Sequence, residues 1–257
     1  MKILIIGKNS FIAKNFIDKY SKKIKIYYFD LYFADNYKKY IEKIYSYVNN
    51  KKITHIINFI GNNDNSQALV KQDNILRDNF VIPLSLVDVF KKQKINFTFF
   101  LSAEINKIEN IKKNNLYALS KFFLKDSLRF ISQKNNISLI KIENVYGPYD
   151  LNFNRLIPSL MLKFILKEKN IKIKLNQNKK LIYIKDMLPI IFNTIRNKKP
   201  LKIINIKGKK FNIFKLWNAI NKIVKNKNKI VKKNNAYYNF IETLNWYKKH
   251  LSFIKKS

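Results

Sequence analysis

The chain has 257 residues, enough for one large domain or a domain with a small appendage. Apolar residues make up 47% and aromatics 14%, which excludes a disordered chain, and no apolar run approaches the roughly 18 residues that cross a bilayer. The net charge is +36, from 52 Lys and Arg against 16 Asp and Glu, and the absence of cysteine excludes disulfides and thiolate metal sites.

Residues 2–6 (KILII) read as a short buried strand that runs into Gly7, and residues 10–21 read as a helix. Residues 24–30 (IKIYYFD) make a second strand that ends in an acid. Residues 35–50 carry apolar side chains at helical spacing. An apolar strand, ITHIINFIG, follows over 53–61, then a long helix over 75–93 with Pro83 as a kink or a first-turn residue. NFTFFLS (96–102) is a strand, 115–136 a long amphipathic helix, and ISLIKIENVYG (137–147) a further strand. Strands and helices alternating at roughly 30 residues per unit predict a parallel sheet with helices on both faces.

After Tyr146-Gly147-Pro148 the rhythm changes. Residues 155–170 read as a helix, IKIKL (171–175) and KKLIYIKD (179–186) as short strands, and 186–197, 214–226 and the tail from 239 as helices. The expected fold is therefore α/β: a Rossmann-like doubly wound parallel sheet over 1–148, with a small C-terminal α+β substrate-binding part over 149–257. A return of the chain to the first domain is left open. MKILIIG lacks the charged start and cleavage site of a signal peptide, so the expectation is a cytoplasmic protein with no membrane segment.

The charge has two readings. Lys and Arg make phosphate contacts, which suits a polyanion binder. Yet the excess is nearly all Lys, spread over many helix faces instead of one basic arm, which suits compositional drift. We expect no specific nucleic-acid partner, although the positive field helps attract a phosphate-bearing substrate.

The first turn, GKNSFIA, keeps one glycine where a dinucleotide-binding loop has three: Gly7, then Ser10, then Ala13. Both replacements are small, and the helix start can still offer amides to phosphate. Asp30 ends the second strand 23 residues after Gly7, where a carboxylate can hold an adenosine ribose. On these residues alone a cofactor loop and a plain strand-turn-helix are equally well supported. The balance moves downstream. Ser102 ends a strand, and Tyr117 and Lys121 stand four apart in NLYALSK, on one face of a helix. A phenol is a poor proton carrier at pH 7. A neighbouring ammonium favours its phenolate form, and a serine hydroxyl can hold the reacting oxygen beside it.

These motifs resemble the extended short-chain dehydrogenase/reductases, in particular the NAD-dependent epimerase/dehydratase family that modifies nucleotide sugars. KILIIGKNSFIAKNF is similar to the family's strand, glycine turn and helix. ITHIINFIG, LRDNFVIPLSLVDVF, YALSK, IENVYGP and KKLIYIKD are similar to its later segments. The resemblance implies that Tyr117 is the acid/base, that Lys121 assists it and holds the nicotinamide ribose, and that Ser102 orients the reacting oxygen. It places Gly7, Asn9, Ser10, Phe11 and Ile12 about the pyrophosphate, Asp30 at the adenosine ribose, and Phe59, Ile60, Gly61, Asn79 and Val145 along the cofactor. The implied cofactor is NAD, because a carboxylate at Asp30 repels a 2′-phosphate, with NADP as the alternative. Glu104, Asn144, Arg155 and Lys179 are implied as substrate contacts, although a surface lysine pair and a helix cap explain Lys179 and Arg155 equally well.

The departures bear on activity. Two of three glycines are replaced, and the substrate part is short. Ser102-Ala103-Glu104 stands where the family's dehydratases carry Thr-Asp-Glu, so Ala103 removes the expected general acid and dehydration is disfavoured. The expected activity is hydride transfer at a sugar carbon, as C4 ketoreduction or 4-epimerisation of a nucleotide-linked hexose or deoxyhexose. The alternative is a catalytically weakened dinucleotide- or polyanion-binding protein of the same fold. The family also implies a homodimer and, more remotely, surface-polysaccharide biosynthesis. No His, Asp and Glu cluster has metal-ligand spacing, and His55 and His250 read as structural or exposed.

Overall fold

A computed structural model describes residues 1–29, 36–62, 69–110, 115–131, 135–166, 177–196, 199, 201–225 and 237–251. The chain divides into two units, Met1–Glu143 with Leu188–Ile206, and Asn144–Met187 with Lys207–Ser257.

The first unit is built on six parallel strands: β1 (Lys2–Ile6), β2 (Lys25–Phe29), β3 (His55–Asn58), β4 (Asn96–Ser102), β5 (Asn136–Ile142) and β8 (Leu201–Ile206). Their order is β2-β1-β3-β4-β5-β8. Ile3 to Ile6 and His55 to Asn58 are buried at every position. A parallel sheet covered on both faces demands such unbroken runs. Leu4, Ile6, Ile56, Phe97, Phe99 and Leu139 share a core with α2 (Tyr37–Lys51), α4 (Ile82–Val89) and α5 (Leu116–Ile131). Tyr20 of α1 (Phe11–Tyr20) stacks on Phe192 of α7 (Ile184–Thr194), with ring centroids 4.4 Å apart.

Between β1 and β3 the strand order reverses. The carboxyl ends of two such strands frame the crevice where open α/β sheets take ligands. Gly7 follows one of them and residues 59–61 follow the other.

The helix that begins as α3 (Leu69–Leu76) widens into one π turn over Arg77–Val81 and resumes as α4. Ile82 N–H bonds back to Arg77 O, one residue further than an α-helix allows. Pro83 stands in the first turn of α4. Having no N–H, it cannot continue the regular ladder, and the wide turn accommodates it.

The second unit holds a three-stranded sheet in the order β6 (Asn144–Tyr146), β7 (Asn178–Tyr183), β9 (Lys209–Asn212). Strands β6 and β7 are parallel, β7 and β9 antiparallel. Helices α6 (Leu156–Leu166), α8 (Ile213–Lys225) and α9 (Tyr238–His250) complete it. Tyr146 stacks on Phe240 at 4.4 Å and Phe164 on Trp217 at 4.0 Å.

Three expectations need correction. The run 137–147 is two strands: β5 pairs with β4 and β8, and after Glu143 the chain enters another sheet as β6. The strand expected over 179–186 ends at Tyr183, and Asp186 lies in the first turn of α7, where a carboxylate suits the helix dipole. Strands β8 and β9 were not anticipated. The strand expected over 171–175 lies outside the described residues, as does Asp30. Among the described residues, no helix is long and apolar enough to cross a membrane, and no three His, Cys, Asp or Glu gather as metal ligands.

Candidate active site

The glycine turn is tight. Gly7 has φ of +79°, and a Cβ there would meet the Ile60 amide nitrogen at 2.9 Å and the Phe59 carbonyl carbon at 3.1 Å. Any other residue would be strained and would push the β3 loop away. Ser10 is a helix N-cap: its Oγ accepts from Ala13 N at 3.2 Å, and its own N–H bonds Gly7 O at 3.1 Å. Replacing glycine by serine therefore anchors the start of α1. Ala13 is fully buried, so a larger side chain would separate α1 from the sheet. Asn9 is exposed, while Phe11 and Ile12 are half-buried at the helix start.

On the neighbouring loop, the Asn58 carboxamide accepts from Ile60 N at 3.0 Å. Phe59 is buried between Phe16 and Phe100. Gly61 brings the site together: a Cβ there would lie 3.5 Å from Asn79 Oδ1 and 3.6 Å from Lys121 Nζ. Asn79 is fully buried in the π turn. Its carboxamide accepts from Asn62 N at 3.0 Å and donates to Asn62 O at 2.6 Å. Asn79, expected beside the cofactor, thus clamps the loop that carries Gly61.

Lys121 is 5% exposed. Burial pulls its ammonium down to about 8, against the opposing charge of Asp78. At pH 7 it stays mainly charged.

Ser102 ends β4, nearly buried, and its Oγ accepts from Glu104 N at 3.1 Å. That leaves the hydroxyl hydrogen as its donor. Tyr117 is half-buried in the first turn of α5. Asn115 caps this helix, accepting from Ala118 N at 3.0 Å, and donates to Glu104 Oε2 at 2.9 Å. Sequence reasoning missed Asn115, although an Asn directly before an apolar helical run is an N-cap signal.

The remaining candidates lie in the second unit. Arg155 donates to Asp150 Oδ2 and to Val145 O, each at 2.7 Å. Asp150 is 2% exposed, and burial raises its carboxyl above the usual range while Arg155 opposes the shift. These bonds tie the chain after β6 to the start of α6. Val145 is buried, and the exposed Asn144 donates to Lys180 O at 3.1 Å. Lys179 is half-buried on β7, in register with Phe211.

The sequence profile of the NAD dependent epimerase/dehydratase family matches residues 3–207, and the chain belongs to that family. No curated protein sequence matches it. Among solved structures, it is similar to UDP-glucose 4-epimerase from Thermotoga maritima, at 14% identity and a TM-score of 0.80, covering 98% of this chain and 100% of that one. It is also similar to dTDP-glucose 4,6-dehydratase from Bacillus anthracis in complex with NAD, at 16% identity and a TM-score of 0.76, covering 100% and 99%. A third is dTDP-4-dehydrorhamnose reductase from the same organism in complex with NADP, at 16% identity and a TM-score of 0.70, covering 90% and 82%. At these identities the likeness is one of fold.

Proposed function

We propose that the protein is an NAD(P)-dependent oxidoreductase or epimerase acting on a nucleotide-linked sugar, with the reaction at a sugar carbon such as C4. One observation carries the reading: a buried, charged Lys121 converges on Gly61 at the strand-order reversal, one helical turn from Tyr117. An ammonium is costly to bury without a use for its charge.

The residues present fit a dinucleotide. The Gly7 turn is as close to the β3 loop as backbone allows, and the start of α1 carries positive partial charge. In this reading Gly7, Asn9, Ser10, Phe11 and Ile12 surround the pyrophosphate, Phe59 to Gly61 lie beneath the cofactor, and Asp30 holds the adenosine ribose. When bound, the nicotinamide supplies or accepts the hydride. Tyr117 moves the proton at the sugar oxygen, Ser102 donates a hydrogen bond to that oxygen, and Lys121 supplies the positive charge beside the phenol. Ala103 offers no acid, which weighs against dehydration. In the second unit, Lys179 and Asn144 are the proposed substrate contacts. Phe123 and Phe130 are exposed on α5, at 41% and 79%, which supports a homodimer through that helix.

Incubation with NADH or NADPH and a panel of nucleotide-linked 4-keto sugars tests the reading. Net cofactor consumption marks a reductase, and product exchange without consumption an epimerase. We expect Tyr117→Phe to lower kcat by roughly a hundredfold or more. Unchanged turnover in that variant would remove Tyr117 from the mechanism.

A further inference from the structure

Ser102 and Tyr117 come from different elements, yet the reading above requires them to act on one oxygen. Three hydrogen bonds run from one to the helix of the other. Glu104 N donates to Ser102 Oγ at 3.1 Å, Asn115 Nδ2 donates to Glu104 Oε2 at 2.9 Å, and Ala118 N donates to Asn115 Oδ1 at 3.0 Å. Ala118 directly follows Tyr117, so the last bond fixes the turn that carries the phenol.

The orientation of the Asn115 carboxamide is forced. Reversed, its NH₂ would face the Ala118 N–H, donor against donor, and its oxygen would face the Glu104 carboxylate. One side chain therefore caps α5 with its oxygen and holds Glu104 with its nitrogen, while the Glu104 amide orients Ser102.

We propose that Glu104 and Asn115 are positioning residues forming a strut that sets the Ser102 hydroxyl relative to the Tyr117 phenol. This rests on the functional reading above and assigns Glu104 a role within the protein instead of contact with substrate. A misplacement of about 1 Å between reacting groups can lower a rate by roughly a hundredfold, so even an exposed strut has catalytic leverage.

The test separates the strut from the cap. Asn115→Ser keeps an oxygen for Ala118 N–H but has no N–H to reach Glu104. Asn115→Ala removes both functions. Glu104→Ala cuts the strut from the other end, and Glu104→Gln keeps an acceptor oxygen. We expect Asn115→Ser and Glu104→Ala each to lower kcat by about tenfold with KM for the cofactor nearly unchanged, and the double variant to be no worse than either. Glu104→Gln should recover most of the loss seen in Glu104→Ala.

Amide hydrogen exchange gives a second readout independent of turnover. Asn115→Ser should speed exchange at residues 103–105 while leaving the first turn of α5 protected, and Asn115→Ala should speed both. Wild-type turnover in Asn115→Ser, additive losses in the double variant, or Glu104→Gln as damaging as Glu104→Ala would each overturn the strut. The last would point to the Glu104 charge acting on substrate. If the wild-type protein turns over no sugar nucleotide, the functional reading fails, and the exchange pattern still decides whether the strut exists.

Discussion

An ammonium at 5% exposure, as at Lys121, has lost most of its hydration. The fall from 10.5 to about 8 corresponds to about 3 kcal/mol of preference for the neutral form at about 1.36 kcal/mol per unit. The unfolded lysine keeps its proton up to about 10.5, the folded one only to about 8. Between those values the unfolded chain binds more protons, so this group makes stability rise with pH there. At neutral pH the cost is present in full. Lys121→Met should therefore raise the melting temperature by several degrees and abolish turnover, as expected of a group kept for its charge. In the wild-type enzyme, kcat/KM should fall about tenfold per pH unit above about 8, as Lys121 loses its proton. A profile flat to pH 10 would show that the Lys121 charge takes no part in the chemistry.

At the scale of elements, the π turn and the buried polar chain behind the sheet are the features that apolar patterning does not encode. Asn79 reaches back to Asn62 across 17 residues, and no local periodicity announces such a clamp. Asn79→Ala would remove its two hydrogen bonds to the backbone N–H and C=O of half-buried Asn62. We expect a loss of about 2–4 kcal/mol, read by denaturant unfolding, and weaker dinucleotide binding by calorimetry. On the other face, Thr194 Oγ1 donates to Ile191 O at 2.6 Å and stands 2.9 Å from Thr98 Oγ1, which in turn lies 3.0 Å from His55 Nε2. If the Thr194 hydrogen goes to Ile191, Thr98 must donate to Thr194 and accept from His55, so the imidazole carries its proton on Nε2. Among the described residues its buried Nδ1 has no hydrogen-bond partner, and burial lowers the ring to about 3. Below pH 6.5 the unfolded chain takes up a proton that the folded one refuses. Stability therefore falls with acid, by up to about 1.4 kcal/mol per unit from this group. The difference in unfolding free energy between wild type and His55→Gln should shrink steadily from pH 6.5 to 5. A constant difference would contradict the neutral assignment.

The same contrast explains what was legible beforehand. Strands β1, β3 and β4 are buried runs whose composition admits no other use, and Gly7 had to be glycine at its φ. Tyr117 and Lys121 were visible because helical spacing puts them on one face. The break at Glu143 was invisible because no Gly or Pro interrupts the run IKIENVY there and only the strand partners change. The switch from β7 to α7 occurs between Tyr183 and Ile184 with no Gly or Pro to mark it. Asn115 and Glu104 are ordinary polar residues in the sequence, and only the fold sets their side chains 2.9 Å apart.

For the whole molecule, the question is what a charge of +36 does to stability. Even with all 16 acids in ion pairs, the 52 cations keep an excess of 36 positive charges. Ion pairs such as Lys91 with Asp88 are exposed and contribute on the order of 0–1 kcal/mol each. Repulsion among the excess lysines opposes the compact state and acts over the screening length, which shrinks from roughly 10 Å at 0.1 M salt to roughly 3 Å at 1 M. Salt thus weakens two terms of opposite sign, and the excess of cations decides which is larger. Repulsion is the larger, so the melting temperature should rise as sodium chloride is raised from 0.1 to 1 M. Sulfate would confound the comparison by strengthening apolar burial, so chloride is the salt to use. A melting temperature that falls with chloride would mean that the attractive pairs outweigh the repulsion, and that the lysines are placed more selectively than compositional drift allows.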